Sequence, residues 1–189
     1  MTFCIKSRIG RKLLALFIVA ICAAGCSKDR DWSDLRKESV RLFVKRDLDG
    51  AMEIEKRAMA IAEKSSPNDP RLIKSLRFLA TIHRLKGRTA EAVPLYKRAI
   101  SIADIAQDNS EIDNSVRDLT TAYVELGLLA DAEPLMKRSI LISESKHGKK
   151  HPSVAKDLIN LAMLYKSMGR EKDSRDYAAR AAAIPTQTR

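Results

Sequence analysis

Five sets of positions in this chain recur with one shared spacing, and that recurrence restricts the fold more than any other feature. Small residues fall at Ala51, Ala92, Ala132 and Ser174, at intervals of 41, 40 and 42 residues. A second small set, Ala58, Ala99, Ser139 and Ala181, keeps the same intervals. Upstream, Ser39, Ala80, Thr120 and Ala162 repeat in step, each followed three residues later by Leu42, His83, Tyr123 or Tyr165. Leu35, Leu76, Val116 and Leu158 complete the register. Repetition with a period of 20–50 residues marks a stacked array of small units, none able to bury its apolar face alone.

Each unit reads as two helices. Leu76, Leu79, Ala80 and His83 stand at i, i+3, i+4 and i+7, one face of a helix, and Ala92, Leu95, Tyr96 and Ala99 repeat that spacing. Gly87, Gly127 and Gly169 sit where a left-handed residue would end the first helix of each pair. Small residues recur where two helices approach closely, and large ones fill the space between. Aromatics at 5%, with seven Gly and six Pro, argue against a sheet protein with its many turns. Pro94 and Pro134 occupy the same place in successive second helices, so the array is expected to accommodate a bend there.

The columns Ala80, Tyr123, Gly87 and Ala92 resemble the small–large–Gly–Ala pattern of tetratricopeptide repeats. The long period and the segments His151-Pro152-Ser-Val-Ala, Asn160-Leu-Ala-Met-Leu-Tyr165 and Ala132-Glu-Pro-Leu-Met-Lys-Arg138 are similar to the kinesin-light-chain subtype. The resemblance implies an all-α fold, a right-handed superhelical array of about four helix–turn–helix repeats, over residues 32–66, 69–108, 110–148 and 151–184. In the first repeat Glu38 and Arg46 replace the expected Leu and Gly, which reads as an end cap. Pro185 ends the last helix, and residues 185–189 form a tail. That helix, with Arg175, Asp176 and Arg180 among alanines, is expected to cap itself or to dock on a partner.

The first 26 residues read as an address. Lys6, Arg8, Arg11 and Lys12 precede an apolar run from Leu13 to Ala24, too short to span a bilayer but suited to a signal peptide. It ends in Ala23-Ala24-Gly25-Cys26, which resembles the bacterial lipobox, although Ala23 stands where Leu is usual. The resemblance implies a signal peptide over 1–25, lipidation of Cys26, a short tether over 26–31, and an exported lipoprotein at the cell membrane or outer membrane facing the periplasm. The formal net charge of +11 falls to +7 once the four basic residues of the signal are removed. An exported protein of that charge meets anionic lipid, cell-wall polymer or acidic protein rather than nucleic acid.

Chemistry is hard to find. The three cysteines, Cys4, Cys22 and Cys26, all precede residue 27, which excludes a disulfide scaffold or cysteine nucleophile from the repeat body. Phosphate-binding glycine loops, Gly-x-Ser-x-Gly elbows and His-Glu-x-x-His are absent. His83 occupies a packing column. His147 and His151 flank a Gly-Lys-Lys connector, so no metal site is expected. Asp47/Asp49 and Asp173/Asp176 read as helix N-terminal charges. No enzyme activity and no cofactor are expected.

A groove remains. In this fold the first helices line the concave face, and the residue after each large apolar position should project into it: Arg36, Arg77, Arg117 and Ile159. Lys74, Arg84, Lys156 and Lys166 lie nearby, with Asp118 and Glu125 as opposing acids. An arginine column, one per repeat, suits bidentate pairing with an extended acidic segment. The expected function is thus a membrane-anchored, non-catalytic scaffold that holds a partner protein or acidic peptide, in cell-envelope assembly. The alternative is a basic surface that binds anionic cell-wall polymer or lipid. Asn114 and Asn160 are too few for the asparagine-rich carboxylate clamp of chaperone-binding relatives.

Overall fold

The computed structural model describes residues 31–185, which fall into two compact units that meet at Ser65/Ser66. The lipidation expected at Cys26, the signal peptide and the last four residues lie outside the described residues. The described residues are helices and their connectors, with no strand among them. The fold is all-α.

In the first unit a helix over residues 31–44 (α1) is followed by α2, Leu48–Ser65. Ser39 and Ala51, the small members of their columns, are fully buried, and the Ser39 hydroxyl donates to the Ala51 carbonyl at 3.0 Å. Close approach of the two backbones requires residues of that size. The turn between the helices carries Arg46 at φ 67, where later repeats place Gly87, Gly127 and Gly169 at φ 73, 72 and 71. In all four turns the next residue's N–H reaches back five residues, as from Asp47 to the Leu42 carbonyl and from Arg88 to that of His83. The first repeat therefore keeps the glycine geometry without the glycine. A non-glycine residue held there costs about 1 kcal/mol. Asp47 caps α2 by accepting from Gly50 N–H at 2.9 Å.

The second unit contains three helix pairs. They are α3 (Arg71–Leu85) with α4 (Thr89–Ile105), α5 (Asn109–Glu125) with α6 (Leu129–His147), and α7 (Pro152–Ser167) with α8 (Glu171–Ala182). Each helix packs on the next in chain order, and α3 also touches α5. The repeating columns form the core. Ala92, Ala99, Ala132, Leu76, Val116 and Leu158 are all inaccessible to solvent, and Ala80, Thr120 and Ala162 are buried beside them. Tyr96, which shares its face of α4 with Ala92 and Ala99, is the largest side chain buried completely. Pro94 and Pro134 stand at the sixth position of α4 and α6, and both helices continue beyond them.

The last helix differs from its counterparts. Of α8, only Ala181 is buried; Tyr177 stacks on Tyr165 of α7, and the exposed surface is charged residues and alanines. No described helix is long and apolar enough to cross a membrane.

Candidate functional site

The arginine column turns out to be engaged within the fold. Arg77 on α3 places Nε 2.7 Å from Asp118 and Nη1 3.0 Å from Glu111, both on α5. Arg84, two turns further along α3, pairs with Glu125, also on α5. Arg117 on α5 places Nη1 2.9 Å from Asp157 of α7 and Nε 3.2 Å from Asp113. In the first unit Arg36 pairs at 2.7 Å with the fully buried Glu55 and lies over the Trp32 ring. Each first helix of the second unit thus clips onto the next, with arginine on the earlier repeat and acid on the later.

The second helices clip together in the opposite sense. Arg138 on α6 reaches back to Asp104 on α4, and Arg180 on α8 reaches back to Glu144 on α6. These positions are 34 and 36 residues apart, so one repeating pair is used twice. The cluster around Glu133 adds a third clip. Its carboxylate accepts from Lys137 at 2.7 Å, from the Tyr165 hydroxyl at 2.9 Å and from Arg170 at 2.7 Å. The Lys137 ammonium hydrogen bond holds the Glu133 carboxyl below the usual carboxylate range against a smaller opposing effect of burial, with Tyr165 and Arg170 helping.

An acidic ligand at Arg36, Arg77, Arg84 or Arg117 would therefore have to displace an internal carboxylate. The arginine ladder, read from sequence as a ligand-binding column, is paired with carboxylates of the next repeat in the second unit. The reason is visible in the acids. Asp118, Glu125 and Asp157 each lie 40 or 41 residues after their arginine, one repeat later and on the facing helix.

Asp157 takes the arrangement furthest. It stands in the column of the buried serines Ser75 and Ser115, and is itself only 4% exposed. Two oxygens meet the Arg117 fork, at 2.9 and 3.1 Å, and Ser143 donates to one of them at 2.6 Å. Burial works against the Arg117 charge, but the pull of Asp157 and Asp113 exceeds it, so the guanidinium is held firmly protonated.

Above that pair the first helices of repeats three and four part. A cleft of about 500 Å³ opens between α5 and α7, floored by Met136 and Ser139 of α6. Its walls carry Val124 and Met163, 42% and 63% exposed, and Ile159 lies beside it at 49%. Lys156 and Lys166 bracket this strip on α7, ten residues or about 15 Å apart along the helix. Both are exposed, and neither takes part in an ion pair among the described residues. Lys74 is exposed on α3. Of the residues expected to line a binding groove, only Lys156 and Lys166 combine exposure with an unspent charge. The apolar wall of Val124 and Met163 was not anticipated. Its sequence signal is slight: Met163 stands where Thr81 and Thr121 occupy the two preceding repeats.

The three histidines are engaged in packing and capping. His83 Nδ1 lies 3.0 Å from Glu91, and the ring packs in the tyrosine column. His151 caps α7 by accepting from Ser153 N–H at 3.2 Å, and its ring stacks on His147 with centroids 4.6 Å apart. No group of three metal-ligating side chains occurs among the described residues.

The family assignment rests on two stretches, residues 43–104 and 116–187, which match the tetratricopeptide repeat. The chain belongs to the tetratricopeptide repeat family. Solved structures with the same fold include BtubC (BKLC) from P. vanneervenii, at 19% identity and TM-score 0.73, over 86% of this chain and 69% of that one. A putative kinesin light chain of Podosopora anserina with nearly identical repeats superposes with TM-score 0.68 at 21% identity, covering 80% and 74%. Aspartyl phosphate phosphatase F from Bacillus subtilis has TM-score 0.70 at 16% identity, over 82% of this chain and 40% of the other. No curated protein sequence matches the chain. The likeness to kinesin-light-chain repeats first seen in His151-Pro152 and Asn160–Tyr165 is thus shared at the level of fold.

Proposed function

We propose that this tetratricopeptide repeat protein is a non-catalytic interaction scaffold, held at a bacterial membrane by lipid on Cys26, whose α5–α7 cleft receives a partner protein. The family is one of interaction scaffolds rather than of catalysts. The observation that carries the site is the apolar strip of Val124, Ile159 and Met163, left exposed beside a core in which Leu76, Val116 and Leu158 are wholly buried. Exposed apolar surface of this kind, rimmed by polar groups, marks interaction sites. Lys156 and Lys166 at its ends favour a segment with a large apolar side chain between acidic ones. The acidic-partner reading is retained, therefore, but on the two lysines of α7 rather than on the arginine column.

The tether rests on Cys26 and the apolar run before it, and a role in cell-envelope assembly follows from that location. Two measurements test the proposal. Metabolic labelling with palmitate should mark the wild type and leave Cys26→Ser unlabelled. A photo-crosslinking residue at position 163 should capture a discrete protein in cells, whereas the same residue at exposed position 141 on α6 should not. Equal products from both positions would remove the cleft from consideration.

A further inference from the structure

The last two residues of α6 and the connector to α7, Lys146-His-Gly-Lys-Lys-His151, carry three lysines, two histidines and no acid. All six residues are exposed, and no ion pair among the described residues involves Lys146, Lys149 or Lys150. The acids nearest in sequence are already committed. Glu144 is held by Arg180, and Asp157 by Arg117 and Ser143. The stacked rings of His147 and His151, together with hydrogen bonds from Gly148 N–H to the Glu144 carbonyl and from His151 N–H to that of Gly148, hold the connector as a tight turn.

The corresponding connectors of the second unit are built with the opposite charge. Before α3, Asp69 grips Arg71. Before α5, Asp108 caps the helix through Ser110 and Glu111 N–H, and Glu111 adds a second acid in the first turn. At α7 an imidazole takes the capping place and the first turn has no acid. The three lysine charges, with the positive end of α7 behind them, have no internal counter-charge.

We infer that this connector is a docking surface for anionic phospholipid headgroups, which would set the orientation of the cleft relative to the membrane. The inference rests on the reading that the chain is held at a membrane. Lysine suits such a surface, because a flexible point charge needs no fixed geometry in its partner. The turn contains no large apolar residue, so it would lie on the headgroups rather than insert, and the attraction should be screened by salt. Three lysines close to an anionic bilayer together favour the docked state by about 100-fold.

The full-length protein, purified from membranes and reconstituted, would be probed by lysine acetylation on vesicles of phosphatidylcholine alone or with about 30 mol% phosphatidylglycerol. On anionic vesicles, labelling of Lys146, Lys149 and Lys150 should fall by about tenfold or more, recover in about 0.5 M salt, and leave Lys156 and Lys166 unchanged. In Lys149→Glu/Lys150→Glu, labelling of Lys146 should lose its dependence on lipid charge. Equal labelling on both vesicles overturns the inference, and sedimentation with the vesicles in that case leaves the tether standing. A chain that stays in solution with both vesicles overturns docking and tether together. Protection by soluble polyphosphate but not by anionic vesicles would also overturn it, assigning the turn to a polyanion.

Discussion

Arg117 and Asp157 face each other across the floor of the cleft, guanidinium fork against carboxylate, at 2.9 and 3.1 Å. The carboxylate is almost wholly buried in a column where the second and third repeats carry the buried serines Ser75 and Ser115. Removing the arginine should leave a buried charge unpaired, at a cost of about 3–5 kcal/mol. Arg117→Ala should therefore lower stability strongly by urea unfolding. Asp157→Ser, which installs the residue of the second and third repeats, should cost less, and Arg117→Ala/Asp157→Ser should recover most of the loss. Additive effects in the double variant would mean that the two residues do not act as a pair.

Arg46 occupies a left-handed turn position that glycine fills in the other three repeats. Arg46→Gly should remove the backbone strain while raising the entropy of the unfolded chain, for a net gain of up to about 1 kcal/mol. The same change in reverse, Gly127→Arg, should destabilise by a similar amount. A cavity or clash cannot confuse the comparison, since nothing lies within 4 Å of a Cβ built on Gly127.

The Glu133 cluster sets an acid limit. Its carboxyl titrates below the ordinary range when folded, chiefly because Lys137 donates to it. A group so depressed adds stability that is complete above its unfolded pKa and is lost as pH falls through the folded one. Wild type should thus exceed Glu133→Gln in stability by a constant margin at neutral pH. That margin should shrink as pH drops below about 4.3. Unfolding curves for both proteins across that window check it; a margin independent of pH would show that the carboxylate charge is not what the cluster uses.

Much of the fold was legible in the sequence because its determinants are local and repeated. The intervals between Ala51, Ala92, Ala132 and Ser174 locate the helix crossings. Gly87, Gly127 and Gly169 locate the turns, and the structure adds only that Arg46 adopts the same conformation. The candidate site was legible in part. Arg77 and Arg117 were recognised as a column, and Asp118 and Glu125 as acids opposite it. What the sequence left open was which side chain meets which. One column of arginines reads the same whether it faces a ligand or the next repeat, and only the relative height of facing helices decides. The cleft was hidden for a related reason: it exists because α5 and α7 part, and no single residue reports that separation. Asp157 gave a trace, as a carboxylate replacing Ser75 and Ser115.

The ends of the cleft strip should contribute separately from its middle. Lys156→Glu/Lys166→Glu should weaken partner binding in a salt-dependent way, because exposed charges act over a screened distance. Met163→Ala should weaken it with little dependence on salt, because it removes apolar contact. Competition binding at two ionic strengths would separate the two; identical salt dependence for both variants would mean that the lysines do not face the ligand.

Partner recovery from detergent-solubilised membranes, with wild type and Met163→Glu compared side by side, tests the central claim most directly. Position 163 is 63% exposed, so a charge there should leave helicity by circular dichroism unchanged. A specific protein recovered with wild type and lost with Met163→Glu, while Leu141→Glu on α6 retains it, is the expected result. Recovery of the same proteins by all three would contradict the α5–α7 cleft as the place where this repeat array holds its partner.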